Sequence, residues 1–420
     1  MIKRGKLKLS FIDLFAGCGG LSLGLENAGF HPVYVNELNK DAMESYLINR
    51  DDKYPMLREK YSCYDIKSLT RGNKALDELK SGLKCDYGIE KGELDLVVGG
   101  PPCQGYSGIG HRRSYSVSKS DIPSNYLYKD MLKVIKKMNP KAFIFENVRG
   151  LLSSRWTKDG TKGEIWEDVL KTFHSLHNFF VDFALLQAKD YGVPQNRPRV
   201  ILVGLRSDID FKQDNNLPAS GLLPKPQENN YPHPVDLLRD LVDDAYLNNL
   251  KTSKYVSNPS CEIQKKLRTN KNRRGYMRKG ELLGEQDYSN HSDLIRRKFQ
   301  YMIKNNGKIP KSMQTKKFSQ RVIPKYWGKD GPNITVASLP EDYVHFQQPR
   351  SFTVREWARL QMFPDWYRFA GKRTTGGLRR AGNPRLGIWE REVPKYTQIG
   401  NAIPVELAER IGKHLKRIIV

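Results

Sequence analysis

The feature that most constrains the fold is an alternation of short apolar runs with longer amphipathic segments, which continues to about residue 205. The segment SLGLENAG has a helical pattern that ends at Gly29, and YLYKDMLKVIKKM has one that ends before Pro140. Helices between strand-length runs are typical of parallel sheets. We therefore predict an α/β fold with a doubly wound, mostly parallel sheet. Its predicted strands are LSFIDLF, FHPVYVNE, LDLVVGG, AFIFENV and RVILVGL.

The alternation stops after about residue 207, where the chain becomes rich in Pro, Asn and Lys. We predict a catalytic domain over residues 1–225, completed by residues 390–420, and a smaller basic domain over residues 226–345. Residues 346–389 would form a hinge that supports the smaller domain. Between residues 251 and 330 the chain has 21 Lys and Arg against 6 Asp and Glu. A merely solvated or disordered basic face is the alternative, but tyrosine and tryptophan interleave with the charge, which disordered sequence seldom shows.

Composition limits the class of partner. The 420 residues include 71 Lys and Arg but 46 Asp and Glu, so the net charge of +25 favours a polyanion, above all nucleic acid. No segment reaches the roughly 20 apolar residues of a membrane-spanning helix, so we expect no membrane partner and a cytoplasmic protein. The five cysteines are scattered without a C-x-x-C pair, which predicts neither a disulfide framework nor a metal site.

A glycine-rich turn follows the first predicted strand. Gly17, Gly19 and Gly20 would let the backbone approach a ligand closely. The dinucleotide pattern G-x-G-x-x-G is not matched, because Ser22 stands where its third glycine would fall. Glu37 ends the second predicted strand, where a carboxylate can accept hydrogen bonds from ribose hydroxyls. The turn therefore favours a nucleoside-bearing cofactor without a pyrophosphate.

Asp65 follows further along the chain, and we predict that it is a second acidic residue, besides Glu37, of the cofactor site. A carboxylate at such a position can equally be a helix cap, and the same alternative applies to Glu37.

Cys103 follows the predicted strand LDLVV within the segment GGPPCQGYS, at the sheet edge where doubly wound folds bind their ligands. Most cysteines are buried packing residues, and that alternative applies here too. Pro101 and Pro102 favour a nucleophile, because they stiffen the approach and hold the thiol in one place.

Polar groups are predicted to meet Cys103 from neighbouring strands. Glu146 ends the strand AFIFENV, and burial there would raise its pKa and keep it protonated. Gln195, Arg197 and Arg199 in QNRPR offer planar donors for a carboxylate, a base carbonyl or a phosphate. The two arginines could instead be surface ion-pair partners.

Two further motifs stand near the end of the chain, RSFTVREWARLQMFPD and GNAIP. With them, the sequence resembles the DNA (cytosine-5)-methyltransferases, and the resemblance runs in order through nearly the whole chain. It implies a Rossmann-like methyltransferase fold, S-adenosyl-L-methionine as cofactor and double-stranded DNA as substrate. The smaller basic domain would be the target-recognition domain. The motifs that carry the resemblance are FIDLFAGCGG, Glu37, Asp65, GGPPCQGYS, FENVRG, QNRPR, RSFTVREWARLQMFPD and GNAIP.

The resemblance also implies roles for single residues. Cys103 would add to C6 of a flipped cytosine, Glu146 would act at N3, and Arg199 would contact the base and Glu146, supported by Arg197. The positions that match cofactor contacts are Phe15, Glu37, Asp65, Ile66 and Asn401, and the predicted cofactor site also includes Gly17, Gly19, Gly20 and Pro102. The expected DNA contacts are Gln104, Ser107, Arg112, Arg113 and Gln195.

The chain departs from the family pattern in small ways. Tyr106 stands where phenylalanine is usual, Trp357 stands where a small residue is common, and the stretch 371–396 is longer than in compact members. The loop from Gly105 to about Asn125 has glycine hinges and basic residues, so we predict that it closes over DNA phosphates; an ordinary surface loop is the alternative.

Two other functions compete with this interpretation. An RNA (cytosine-5)-methyltransferase would share the chemistry, but the long basic insert favours DNA. A catalytically silent DNA-binding protein would share the fold, but the intact set of Cys103, Glu146, Arg197 and Arg199 argues against it. We expect a monomer. It would act either in a restriction-modification system or as an orphan methylase. In a restriction-modification system we expect no stable complex with the cognate endonuclease.

Overall fold

The computed structural model describes residues 9–102, 118–209, 221–227, 230–314, 320–338, 340–376, 379 and 391–420. Its centre is a seven-stranded sheet in the order β3-β2-β1-β4-β5-β7-β6. The strands are β1 (Ser10–Leu14), β2 (His31–Asn36), β3 (Ser62–Cys63), β4 (Leu96–Gly99), β5 (Ala142–Val148), β6 (Phe179–Gln187) and β7 (Pro198–Arg206).

Neighbouring strands from β3 to β5 are parallel, whereas β7 runs antiparallel to both β5 and β6. The predicted mostly parallel, doubly wound sheet is thus confirmed, and β7 is its one reversed strand among the described residues. Only ten residues separate β6 from β7, too few for the crossover that a parallel pair needs. The reversal brings the beginning of β7, instead of its end, beside the carboxyl end of β5.

Helices cover both faces of the sheet. Successive residues of one strand point to opposite faces, so Phe11 packs in one apolar cluster and Ile12 in the other. The helices before the basic region are α1 (Gly20–Ala28), α2 (Lys40–Ile48), α3 (Met56–Glu59), α4 (Ile66–Thr70), α5 (Lys74–Tyr87), α6 (Tyr128–Met138) and α7 (Glu164–His174). The later helices are α8 (Pro234–Leu238), α9 (Glu262–Leu267), α10 (Asp293–Lys304), α11 (Val354–Leu360), α12 (Lys395–Asn401) and α13 (Val405–Ile419).

The segment 230–345 has little regular structure besides α8 to α10, in agreement with its sequence. Two short strands, β8 (Arg321–Val322) and β9 (Tyr343–Val344), pair in parallel. Apolar side chains of this segment, among them Tyr255, Leu267 and Trp327, belong to the same cluster as the residues of α1 and α13. The remaining short elements are 3-10 helices at Lys119–Asp121, Pro123–Tyr126, Arg149–Ser153, Ala188–Tyr191, Arg239–Leu241, Asp244–Leu247, Lys311–Met313 and Pro340–Asp342.

Two helices in the C-terminal part of the chain begin at residues that favour helix starts. Thr353 and Glu356 form a capping box at the start of α11, where each side chain accepts a hydrogen bond from the other residue's amide. Pro404 immediately precedes α13, and the apolar stripe of α13 packs against α1. Within the described ranges, none of the helices combines the length and apolar character that crossing a bilayer requires.

Candidate active site

The candidate site lies where the sheet order changes direction. From β1 the chain adds β2 and β3 on one side, and then returns to add β4 and β5 on the other. The carboxyl ends of β1 and β4 therefore border the crevice in which open α/β sheets bind ligands. The glycine turn follows β1, and Pro101 and Pro102 follow β4.

Glu146 and Arg199 meet at this edge of the sheet. Glu146 pairs in register with Ile201 of β7, so Arg199 lies diagonally across on the same face. The Nε atom of Arg199 is 2.8 Å from Oε1 of Glu146, and the two side chains are 9% and 12% exposed. Burial raises the pKa of Glu146 above its usual value, while the positive charges of Arg199 and Arg197 oppose that rise. The carboxyl is thus held in place and biased toward its protonated form.

The backbone that leads to Cys103 is packed against Glu146. A Cβ atom on Gly100 would lie only 2.7 Å from Oε2 of Glu146, so a side chain at this position would displace the carboxylate. Asn147, the next residue of β5, donates a hydrogen bond from Nδ2 to the carbonyl oxygen of Pro101 at 3.2 Å. The end of β5 therefore fixes the segment immediately before Cys103. Cys103, Gln104, Ser107, Arg112 and Arg113 lie outside the described residues, as does most of the loop 105–125.

Arg197 is buried and contacts main-chain carbonyl groups. Its Nη1 donates to Val336 at 2.6 Å, and its Nη2 donates to Gly400 and Ala402 at 2.5 and 2.9 Å. These bonds connect the start of β7 with the end of α12 and with the segment before β9. In this structure the guanidinium forms hydrogen bonds with the backbone. Its positive charge also opposes the rise in the pKa of Glu146, without a hydrogen bond between the two side chains.

Gln195 has no exposed surface. Its Nε2 donates to the carbonyl oxygen of Leu360 at 2.6 Å and to Oε1 of Gln361 at 2.9 Å. Its Oε1 accepts from the amide of Val336 at 2.8 Å. In this conformation the side chain faces protein, and its contact with DNA stays a prediction.

Glu37 and Gly17 form one side of the predicted cofactor cradle. Oε2 of Glu37 accepts a hydrogen bond from the amide of Gly17 at 2.9 Å, and Oε1 accepts from the amide of Asn39 at 2.8 Å. Burial raises the pKa of Glu37, and these two amides oppose the rise. Gly17 has a φ of 57°, and a Cβ atom there would meet no atom within 4 Å, so the turn borders open space. Phe15, with a φ of 56°, is half-buried beside it.

The other predicted cofactor residues differ in their exposure. Asp65 is exposed and caps α4, since its carboxylate accepts from the amide of Lys67 at 2.9 Å. Ile66 is 4% exposed, Pro102 is half-buried, and Asn401 is exposed at the end of α12. Gly19 and Gly20 are buried, or nearly so, at the start of α1. The cap at Asp65 was one of the two expectations for this residue, and it does not prevent a ligand contact.

Several buried polar residues near the glycine turn were not predicted from the sequence. Asp13 of β1 is fully buried, and burial raises its pKa to about 7 even though Ser22 donates a hydrogen bond to it. Arg50 and Tyr367 contact the backbone of the turn itself. An acid inside the apolar run FIDLF was a readable signal for Asp13. The sequence gives no such signal for Arg50 and Tyr367, because the glycine turn that they contact is remote from both of them in the sequence.

A doubly wound sheet with a glycine turn and a buried acid at its switch point is typical of the Rossmann-like class of folds. The family model of the C-5 cytosine-specific DNA methylases matches residues 9–417. The chain therefore belongs to this family, and its enzyme class is DNA (cytosine-5)-methyltransferase. The resemblance noted from the motifs is thereby confirmed.

Individual relatives agree with the family over almost the full chain. Type II methyltransferase M.DdeI of Desulfomicrobium norvegicum is 30% identical over 412 residues, which cover 97% of this chain and 88% of the relative. Type II methyltransferase M1.HphI of Haemophilus parahaemolyticus is 29% identical, with coverages of 97% and 86%. A crystal structure of an Escherichia coli prophage protein described as a DNA modification methyltransferase superposes with a TM-score of 0.67 at 22% identity, covering 98% of this chain and 99% of that one. This structural likeness supports the fold.

Proposed function

We propose that this enzyme methylates C5 of a cytosine that has been flipped out of duplex DNA, with S-adenosyl-L-methionine as the methyl donor. The observation that carries the proposal is the buried Glu146–Arg199 pair, 2.8 Å apart, packed against the backbone that leads to Cys103. A carboxyl that is held rigidly and biased toward protonation is suited to a ring nitrogen such as N3 of cytosine. The target base must leave the stack to reach it, at a cost of roughly a few kcal/mol.

The cradle after β1 fits a nucleoside-bearing donor. The open space beside Gly17 gives room for a ligand against the backbone, and the Glu37 carboxylate lies at the end of β2, where ribose hydroxyls can donate to it. Phe15, Ile66, Pro102 and Asn401 are the other residues we assign to this ligand, together with Asp65. When bound, S-adenosyl-L-methionine supplies an electrophilic methyl group on a sulfonium.

The chemistry of the chain's own residues starts at Cys103. Its thiolate forms a bond to C6 of cytosine, while Glu146 holds a proton at N3. The electron pair of the C5–C6 double bond is thereby made available at C5, which becomes nucleophilic. After C5 has gained its methyl group, a base removes the C5 proton, the N3 proton returns to Glu146, the C5–C6 double bond re-forms and the Cys103 sulfur leaves as a thiolate.

Arg199, Arg197 and Gln195 contribute in different ways. Arg199 keeps the Glu146 carboxyl in place, and we assign it a contact with the target base. We assign Arg197 and Gln195 to positioning, since both hold the backbone around β7 through buried hydrogen bonds. DNA contacts by Gln104, Ser107, Arg112 and Arg113 remain predictions from the sequence.

The basic segment within residues 226–345 is our proposed target-recognition domain, supported on residues 346–389. Its excess of Lys and Arg suits phosphate contacts, which supply affinity without sequence information. A role in a restriction-modification system, independence from a bound endonuclease, a monomeric state and a cytoplasmic location also remain predictions.

A labelled-cofactor assay tests the proposed function. The purified protein is incubated with methyl-labelled S-adenosyl-L-methionine and either duplex DNA or tRNA, and the experiment is repeated with Cys103→Ala. We expect transfer to DNA that disappears in the variant. Transfer to tRNA alone would refute the DNA substrate, and transfer by Cys103→Ala would refute the mechanism. Bisulfite sequencing of DNA from cells that express the protein would then identify the target sequence.

A further inference from the structure

The glycine turn is contacted by protein on one side and open on the other. A Cβ atom on Gly17 would face open space. A Cβ atom on Gly19 would lie 2.8 Å from Nη1 of Arg50, 2.8 Å from Oη of Tyr367 and 2.9 Å from Cδ2 of Tyr46. Gly19, with a φ of 86°, therefore leaves room for protein side chains that press against the backbone.

Two of these side chains donate to successive carbonyl groups of the turn. The Tyr367 hydroxyl donates to the carbonyl oxygen of Cys18 at 2.5 Å. Nη2 of Arg50 donates to the carbonyl oxygen of Gly19 at 3.4 Å. The two side chains are also joined, because Nη1 of Arg50 donates to the Tyr367 hydroxyl at 3.0 Å.

Arg50 and Tyr367 are themselves fixed. The Arg50 guanidinium forms an ion pair with Glu26 at 2.6 Å, and the two side chains are 2% and 9% exposed. It also lies over the ring of Tyr46, 3.9 Å from the centroid. The carbonyl oxygen of Tyr367 accepts from Nη2 of Arg355, on α11, at 2.8 Å. Both donors to the turn are therefore held by ion pairs and hydrogen bonds within the protein.

We propose that Arg50 and Tyr367 are positioning residues for the methyl donor. A turn with glycine at 17, 19 and 20 has many accessible conformations, and a ligand that had to order it would lose affinity. The two donors hold the Cys18 and Gly19 carbonyls against the protein, so the open side of the turn is already shaped before binding. Since C=O and N–H of one peptide unit point in opposite directions, fixing the Gly19 oxygen also fixes the Gly20 amide at the start of α1.

This inference rests on the proposed function, and it predicts a selective effect on cofactor affinity. Tyr367→Phe removes only the hydroxyl, and Arg50→Lys keeps the charge for Glu26 but loses the planar guanidinium that reaches both Gly19 and Tyr367. Tyr61→Phe is the control, since Tyr61 is also a buried tyrosine but its hydroxyl donates to Asp86 instead of the turn. Binding of S-adenosyl-L-homocysteine is measured by isothermal titration calorimetry, and unfolding by thermal melts without ligand.

We expect Tyr367→Phe and Arg50→Lys to raise the Kd about 3- to 10-fold, the loss of about one hydrogen bond. The cofactor KM should rise by a similar factor, with kcat and the DNA KM unchanged, whereas Tyr61→Phe should keep the parental Kd. If Tyr367→Phe melts at a lower temperature but binds like the parent, the inference is wrong and the residue is only structural. If Arg50→Lys fails to fold, the cofactor affinity of Tyr367→Phe alone tests the inference. Absence of binding and of methyl transfer in the parent protein would instead refute the proposed function.

Discussion

The carboxylate of Glu146 and the guanidinium of Arg199 lie 2.8 Å apart on two strands that run in opposite directions. Because β7 is antiparallel, its first residues lie beside the last residues of β5. A parallel β7 would place Arg199 at the other edge of the sheet. The reversed strand is therefore the reason that these two residues share one site.

Replacing Glu146 with glutamine should separate binding from chemistry. The amide keeps the size of the side chain but cannot supply a proton to N3. We expect Glu146→Gln to bind duplex DNA and S-adenosyl-L-homocysteine nearly as the parent does, and to lose about 10²- to 10⁴-fold in single-turnover rate. Glu44→Gln, which alters an exposed partner of Arg58, serves as the control. Parental turnover in Glu146→Gln would remove Glu146 from the chemistry.

Arg199 should set the pH dependence of the reaction. Burial raises the pKa of Glu146 and Arg199 opposes that rise, so Arg199→Gln should raise the pKa further. The proposed mechanism uses the protonated carboxyl together with the Cys103 thiolate, so the single-turnover rate should have an acidic and an alkaline limb, one of which reflects the pKa of Glu146. In Arg199→Gln the limb that belongs to Glu146 should move to higher pH, on a lower overall rate. Arg58→Gln removes an exposed arginine with two carboxylate partners and should leave the profile unchanged. A shift to lower pH would contradict the assignment.

Much of the site was predictable because its residues adjoin strands. Gly17, Glu37 and Glu146 each end or follow an apolar run, and parallel strands bring such positions to one edge. Strand β6 was missed because its sequence FFVDFALLQ does not alternate as its burial does: Asp182 divides it into two short apolar runs, and several apolar side chains of this edge strand are exposed. Strand β3 has only two residues.

The contacts that shape the site were less accessible to prediction. Arg50 is 31 residues from Gly19, and Tyr367 is 349 residues from Cys18. Neither residue lies in a sequence pattern from which its contact with the turn could be predicted. Arg197 and Gln195 were predicted to act on ligands because their side chains suit anions and bases. The same donors suit carbonyl oxygens, and only the packing shows that the backbone is what they bind.

His345 should make the protein sensitive to acid. It is fully buried, and burial together with nearby Arg350 lowers its pKa to about 3. Between the ordinary value of 6.5 and about 3, the unfolded chain binds a proton that the folded chain does not, so stability falls as the pH falls, by up to about 1.4 kcal/mol per pH unit.

His345→Asn tests this sensitivity. The asparagine oxygen can replace Nδ1, which accepts from the amides of Gln347 and Gln348 at 3.1 Å. We expect urea unfolding of the variant to depend less steeply on pH between 6.5 and 4.5. Above pH 7.5, where histidine is neutral in both states, the two proteins should have parallel stability curves. Equal slopes in the acidic range would contradict the prediction.

Gly24 should be required for the packing of α1 on α13. In a helix interior, alanine is usually better than glycine by up to about 1 kcal/mol. Here a Cβ atom would collide with Cβ of Ala408 and lie 2.6 Å from both the Glu409 amide nitrogen and the Val405 carbonyl oxygen. The clash is with backbone on a buried helix, so it can be relieved only by moving α13.

We therefore expect Gly24→Ala to lower the free energy of unfolding by about 1–3 kcal/mol, against its helix propensity. Gly284→Ala is the control, because a Cβ atom there meets nothing within 4 Å and the residue is exposed. Chemical denaturation of both variants measures the difference. A Gly24→Ala protein as stable as the parent would mean that propensity outweighs the contact, and that α13 can move away from α1 at little cost.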